Sequence, residues 1–278
     1  MKHDEGFFHA GDGTKLYRQT WFADTPKAAA LFIHGYGDHS GRYEPLARKL
    51  TGMGVSVYAL DYRGHGKSGG RRGAISSFEQ YMDDVDQVRK RLVQAEEGKP
   101  WFIIGHSLGG LIALKFAIER PDGASGVVVS SPLLGLALDV PAIKAFAGRL
   151  LSGILPFVSL PTEIDPKDLS HDNQIVEAYI ADPLVHKVAN ARWFTQTEKA
   201  QHIILQSAPN LEMPLLHMQA GGDKIVSVKT SREFFEKAGT ADKVYKEYPG
   251  LYHELFNEIP SDRDQVFSDL ADWLSGRI

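Results

Sequence analysis

Trp101-Phe102-Ile103-Ile104-Gly105-His106-Ser107-Leu108-Gly109-Gly110-Leu111-Ile112-Ala113 joins an apolar run to a glycine-bracketed serine and then to apolar residues at helical spacing. Trp101 to Ile104 reads as a buried strand, and Leu111, Leu114, Ala117 and Ile118 as the face of a helix. A serine at such a junction stands on a sharp turn. Gly105 and Gly109 leave room for close backbone approach, and the following helix aims its N-terminus at the serine. The arrangement presents a hydroxyl nucleophile and suggests acyl transfer. Gly-x-Ser-x-Gly alone also describes an ordinary surface loop, so the strand before it and the helix after it carry the reading.

Composition narrows the classes. A chain of 278 residues suits one large domain with an insertion better than two independent ones. Hydrophobic content of 43% and charged content of 24% are those of a globular protein. The net charge of −4, with arginines scattered apart from Arg71-Arg72, argues against a nucleic-acid partner. Without cysteine, neither a disulfide nor a thiolate zinc site can form. No His-Glu-x-x-His or similar spacing marks a metal site, and no cofactor is expected. Met1 to Gly6 lacks the apolar core of a signal peptide, and no run of eighteen apolar residues occurs. The expectation is a cytoplasmic protein.

Outward from the serine, strands and helices alternate. Residues 6–22 alternate loosely around Asp12-Gly13, a hairpin signal. Residues 28–33 and 55–60 read as strands ending at His34-Gly35-Tyr36-Gly37 and Asp61-Tyr62-Arg63-Gly64. Helices fall at 43–53 and 78–96, the second capped by Ser77 with Gln80. Helix 107–119 and strand 126–130 follow. This rhythm predicts an α/β fold with a mostly parallel central sheet and helices on both faces. From Pro132 to about Pro209 it breaks, with helical patterns at 141–151, 173–180 and 184–201 and no strong strand signal before about residue 203. Residues 132–209 are therefore expected to form a helical cap inserted after the sixth strand, with 1–131 and 210–278 as the core. The rhythm resumes with strand 214–218, helix 228–238, strand 243–248 and helix 261–275.

In an open parallel sheet, functional groups collect at the carboxyl ends of strands. Gly35-Tyr36, Ser107, Asp223 and His253 all fall there, and the order Ser, Asp, His is that of an α/β-hydrolase fold. Ser107 is the expected nucleophile, His253 its base, and Asp223 the carboxylate that fixes the imidazole tautomer. Asp223 also reads as an ordinary turn residue in Gly-Gly-Asp-Lys, until Ser107 and His253 are weighed with it. The oxyanion needs two backbone N–H donors, expected from Leu108 and Tyr36. His106, His34 and His65 are expected to order loops.

Four segments resemble the monoacylglycerol lipase/lysophospholipase branch of the α/β-hydrolases: residues 34–43 (HGYGDHSGRY), 61–70 (DYRGHGKSGG), 105–110 (GHSLGG) and 252–255 (YHEL). The insertion segment 179–184 (YIADPL) is similar too, and the likeness covers nearly the whole chain. The resemblance implies a serine esterase for single-chain lipids, foremost monoacylglycerol to glycerol and fatty acid. It implies head-group contacts from Asp38 and Arg42, although many members carry Glu where this chain has Asp38, and a glycerol-side contact from Tyr179. Independently, residues 133–160 hold many leucines, isoleucines, valines and phenylalanines but only Asp139, Lys144 and Arg149 as charges. Such a cap lines an acyl channel, touches a membrane or micelle surface transiently, or merely packs on the core. Lysophospholipase, short- or medium-chain carboxylesterase, aminopeptidase and thioesterase chemistry remain alternatives on the same triad. A peptidase would need a carboxylate for the substrate amine, and Glu163, Glu177 and Glu198 stand in the insertion.

Overall fold

The computed structural model describes residues 1–137, 152–162 and 164–278. Its frame is an eight-stranded sheet of β1 (Lys2–His9), β2 (Lys15–Phe22), β3 (Ala28–Ile33), β4 (Val55–Asp61), β5 (Trp101–His106), β6 (Gly126–Ser130), β9 (Leu215–Ala220) and β10 (Lys243–Tyr248). The spatial order is β1-β2-β4-β3-β5-β6-β9-β10. β1 and β2 form the hairpin around Asp12-Gly13, and β2 runs antiparallel to β4. The remaining neighbours are parallel.

Parallel strands with both faces covered need continuous apolar runs, and β3, β4, β5 and β6 are buried along their whole length. Alternate residues still serve opposite cores. Leu31, Ile33 and Ile103 face a cluster with α2 (Glu79–Ala95) and α3 (Leu108–Glu119). Ala30, Phe32, Phe102 and Ile104 face a second cluster with α1 (Glu44–Gly52) and α7 (Pro260–Ser275). α3 is buried nearly all round, which explains why Leu111 to Ala117 are apolar but for Lys115, itself buried and paired with Glu79 and Glu119.

Between β6 and β9 the chain leaves the sheet. The described part of this insertion holds β7 (Ser159–Pro161), α4 (Asn173–Ala181), β8 (Val188–Asn190) and α5 (Ala191–Ser207); α6 (Val228–Lys237) follows β9. β7 and β8 form a two-stranded antiparallel ribbon, too short for its alternation to stand out in the sequence. The helix expected at 184–201 starts later because Asn190, in an extended conformation, accepts the Trp193 N–H at 2.6 Å and caps α5 there. The apolar residues near 203 are the buried side of that helix rather than a strand. The expected helix 141–151 lies outside the described residues. Ser77 does not cap α2 with its hydroxyl. Gln80 Oε1 instead accepts the Ser76 and Ser77 N–H groups at 2.7 and 3.4 Å, the reverse half of a capping box.

Two glycines let α3 seat against the sheet. A Cβ on Gly109 would stand 2.1 Å from the Ile33 carbonyl oxygen and 2.4 Å from that of His34. A Cβ on Gly105 would stand 2.2 Å from the Gly109 oxygen. These are backbone obstacles that cannot swing aside. Gly109→Ala is expected to lower unfolding free energy by about 1–3 kcal/mol or more, the range for overpacking a dense interior. Urea unfolding checks this, and a variant as stable as the parent would refute the close approach.

Candidate active site

Every candidate catalytic group sits at the carboxyl edge of the parallel strands. Ser107 follows β5, the Tyr36 turn follows β3, Asp223 follows β9 and His253 follows β10. Ser107 has φ 54° and ψ −118°, a backbone conformation costly for a residue with a side chain. Its N–H donates to Ser130 O at 3.0 Å, and its carbonyl accepts from Leu111 and Leu133 N–H at 3.1 and 2.9 Å. The Ser107 hydroxyl does not cap the helix, and no hydrogen bond joins it to another described residue.

His253 Nδ1 lies 2.7 Å from Asp223 Oδ2. The other carboxylate oxygen, Oδ1, accepts the Ile225 and Val226 N–H groups at 2.8 and 2.9 Å, so the acid is oriented from both ends. Burial pushes the His253 pKa down, but the adjacent Asp223 charge and their hydrogen bond outweigh it and leave it above the ordinary value. Burial raises the Asp223 pKa, and the His253 imidazole with the two N–H donors brings it below the usual range. The His106 ring lies 4.8 Å from that of His253. No hydrogen bond joins the Ser107 hydroxyl to the His253 imidazole, and catalytic hydrogen bonds are often long before substrate tightens a site.

The N–H groups of Tyr36 and Leu108 carry no hydrogen bond to a described residue. A Cβ on Gly35 would stand 3.4 Å from Ser107 Cβ, so the Tyr36 turn runs beside the serine. His106 Nδ1 turns to Ser130 O at 3.2 Å, and burial drives its pKa down to about 3. His34 Nδ1 meets Gly35 O at 2.8 Å and His65 Nδ1 meets Arg63 O at 3.0 Å, both within their own loops.

Asp38 and Arg42, expected at the head group, are joined to each other and to the loop bearing His253. Arg42 makes a two-pronged bond to Glu254, at 2.8 and 2.7 Å, and reaches Asp38 Oδ1 at 3.0 Å. Asp38 Oδ1 also accepts the His39 N–H at 2.7 Å, and Oδ2 accepts the Tyr43 hydroxyl at 2.6 Å. Burial alone would raise the Asp38 pKa; the Arg42 charge and neighbouring donors hold it well below the carboxylate range. Tyr179, on α4, is buried with the Arg42 guanidinium 4.8 Å from its ring centre. Its hydroxyl lies 3.9 Å from where a Cβ on Gly37 would be, facing the Tyr36 turn. Glu163 lies outside the described residues, Glu177 is exposed and Glu198 is half-buried.

Sequence reading did not single out Glu254 or Asp61. Glu254 adjoins His253, but its partner Arg42 is 212 positions away, and no local pattern announces that pair. Asp61 Oδ1 accepts the Ser40 N–H and hydroxyl at 2.8 and 2.6 Å, and Oδ2 accepts the Lys67 N–H at 2.8 Å. One carboxylate thus joins the loops after β3 and β4.

Comparison with known proteins agrees with this architecture. The family model described as serine aminopeptidase, S33, matches residues 24–260. The human monoglyceride lipase is 37% identical over 269 residues, which cover 96% of this chain and 88% of that protein. The Bacillus subtilis phospholipase YtpA is 33% identical, covering 89% of this chain and 95% of that one. Among solved structures, the Paleococcus ferrophilus monoacylglycerol lipase superimposes with a TM-score of 0.86 at 36% identity, over 95% of this chain and 99% of that chain.

Two outcomes follow from the electrostatics. A neutral His253 is needed to accept a proton, and its pKa is raised above 6.5, so kcat/KM should fall with acid through a limb above pH 6.5. Asp223→Asn removes the two largest causes that raise it, leaving burial opposed only by the more distant Glu254 and Asp38 charges. The limb should then move to lower pH while kcat drops by about 10⁴; a pH–rate profile with an unmoved limb would contradict the pairing. Arg42→Met strands two buried carboxylates and should cost about 3–5 kcal/mol of stability. If Arg42 served only a head group, urea unfolding would be unchanged and only KM would rise.

Proposed function

The chain belongs to the α/β-hydrolase family described as serine aminopeptidase, S33, alongside monoglyceride lipases, and on that footing we propose that it hydrolyses carboxylic esters of single-chain lipids, foremost monoacylglycerols. One observation carries the reading. The 2.7 Å His253–Asp223 contact lies at the same sheet edge as the strained Ser107, whose hydroxyl is uncommitted.

In this reading Ser107 Oγ attacks the ester carbonyl and His253 takes the hydroxyl proton. The Tyr36 and Leu108 N–H groups receive the oxyanion, each worth about 10²–10³ in rate. Collapse expels the alcohol, which His253 protonates. Water activated by His253 then releases the fatty acid from Ser107 and restores the hydroxyl. Asp223 holds the imidazole and stabilises its charged form throughout. Asp38 and Arg42 shape the loop that carries Tyr36, and Tyr179 lies against that same turn.

Residues 132–209 act as the cap, with residues 1–131 and 210–278 as the core. Ile154, Leu155, Phe157 and Leu160 are exposed on this insertion, at 67, 53, 42 and 52%. Apolar residues clustered in sequence and left in water support a surface that meets a lipid aggregate and passes an acyl chain inward. Among the described residues no helix is long and apolar enough to cross a membrane. The contact is therefore peripheral.

The test is a chain-length series of monoacylglycerols with matched lysophospholipids and an aminoacyl arylamide. Each buried methylene adds about 0.8 kcal/mol, so kcat/KM should rise roughly fourfold per methylene along the channel. Ser107→Ala should lose about 10⁶ of the turnover. A flat series would reduce the reading to a short-chain esterase. A preference for the arylamide would move it to peptidase chemistry.

A further inference from the structure

The turn that carries Tyr36 is sewn to the cap along one seam. Tyr36 Oη donates to Val188 O at 2.8 Å, with Gly73 O at 3.3 Å. The His186 N–H donates to Gly37 O at 3.0 Å, and the Asn190 N–H to Gly73 O at 3.1 Å. The Tyr36 ring lies 3.9 Å from that of Trp193 on α5 and meets the His186 ring edge-on at 5.2 Å. There is no slack in the seam. A Cβ on Gly73 would stand 2.1 Å from Val188 O and 2.6 Å from Tyr36 Oη, and one on Gly37 would stand 2.5 Å from His186 O. Burial pushes the pKa of His65 and His186 below the ordinary value, so the rings against Tyr36 stay uncharged near neutrality.

These contacts bear on the backbone of Tyr36 itself. Gly37 has φ 72°, a glycine conformation in which the turn's peptide planes are free to rotate unless tied. The seam ties the turn at the phenol, at the ring and at the next carbonyl. The Tyr36 N–H itself has no partner among the described residues, and its turn runs beside Ser107. We infer that the Tyr36 phenol is a positioning residue: through Val188 it lets the docked cap set the oxyanion-hole N–H of the same residue. The inference rests on the proposed esterase reading and deepens it.

Tyr36→Phe tests this, because it keeps the backbone N–H and the stacked ring and removes only the hydroxyl. Kinetics with a soluble short-chain ester are read beside two inhibitors. The first is an alkyl boronic acid, which forms an Oγ–B bond with Ser107, passes the hydroxyl proton to His253 and places an oxygen in the hole. The second is the product fatty acid, bound without that bond. The inference expects kcat to fall roughly tenfold, a fraction of the about 10²–10³ that loss of a whole donor costs. KM should stay unchanged, boronic-acid affinity should fall in parallel with kcat, and fatty-acid affinity should hold. Unchanged kcat and boronic-acid affinity would overturn it. So would equal weakening of both inhibitors, which marks general loosening of the pocket. Ser107→Ala, assayed in parallel, separates the two failures: hydrolysis that survives it sinks the esterase reading itself, whatever Tyr36→Phe does.

Discussion

Ser107 holds a backbone conformation that costs a residue with a Cβ about 1–3 kcal/mol, and much of the surrounding architecture keeps it there. The cost is met by contacts made at no other geometry. The Ser107 N–H must reach Ser130 O on the neighbouring strand while its carbonyl takes the N–H groups of both Leu111 and Leu133. α3 must then start almost on top of β3, which only glycine at 109 permits. Gly110 extends the same logic, since a Cβ there would stand 2.8 Å from Pro132 Cβ. The serine, itself buried, is held by backbone contacts that cannot swing aside.

Around this point the fold places buried charge in closed circuits rather than at a binding surface. Arg42 neutralises Asp38 and Glu254 together, tying the turn after β3 to the residue next to His253. Asp61 ties that turn to the loop after β4. Arg63 spans Asp84 inside and Asp12 at the surface, at 2.7 and 2.6 Å. Each cation faces two carboxylates, so removing one partner leaves an uncompensated charge, while the intact set fixes loop positions that apolar packing alone would leave free to slide. Rigid loops at the strand ends are what a preorganised oxyanion site demands.

The strands β3, β5, β6 and β10 and the helices packed on them were legible because their signals are local: apolar runs, helical spacing and glycine at the turns. The Asp223–His253 contact has a related origin, since strand ends of a parallel sheet converge whatever the intervening sequence. The Arg42–Glu254 pair and the Tyr36–Val188 bond were not legible, because they join positions 212 and 152 residues apart and leave no periodicity. The β7–β8 ribbon escaped for another reason. Three-residue strands carry too few alternations to be told from loop. The partners of Asp38 were equally hidden: His39, Tyr43 and Arg42 meet its two oxygens, and no local pattern announces that set.

The insertion meets the core at both functional ends. On one side the Glu254 N–H donates to Leu169 O at 2.8 Å, the buried Glu258 carboxylate accepts the His171 and Tyr252 N–H groups, and the His171 and Tyr252 rings stack at 3.7 Å. That attachment steadies the loop bearing His253. On the other side the seam at 186–190 grips the turn bearing Tyr36. The strap between them, α4, brings Tyr179 over Arg42, the residue whose guanidinium links those two loops. The loop bearing His253 and the turn bearing Tyr36 therefore share one frame made partly of insertion. On the proposed reading, a change of sequence in the insertion alters turnover without touching Ser107, because the distance between His253 and Tyr36 is set across it.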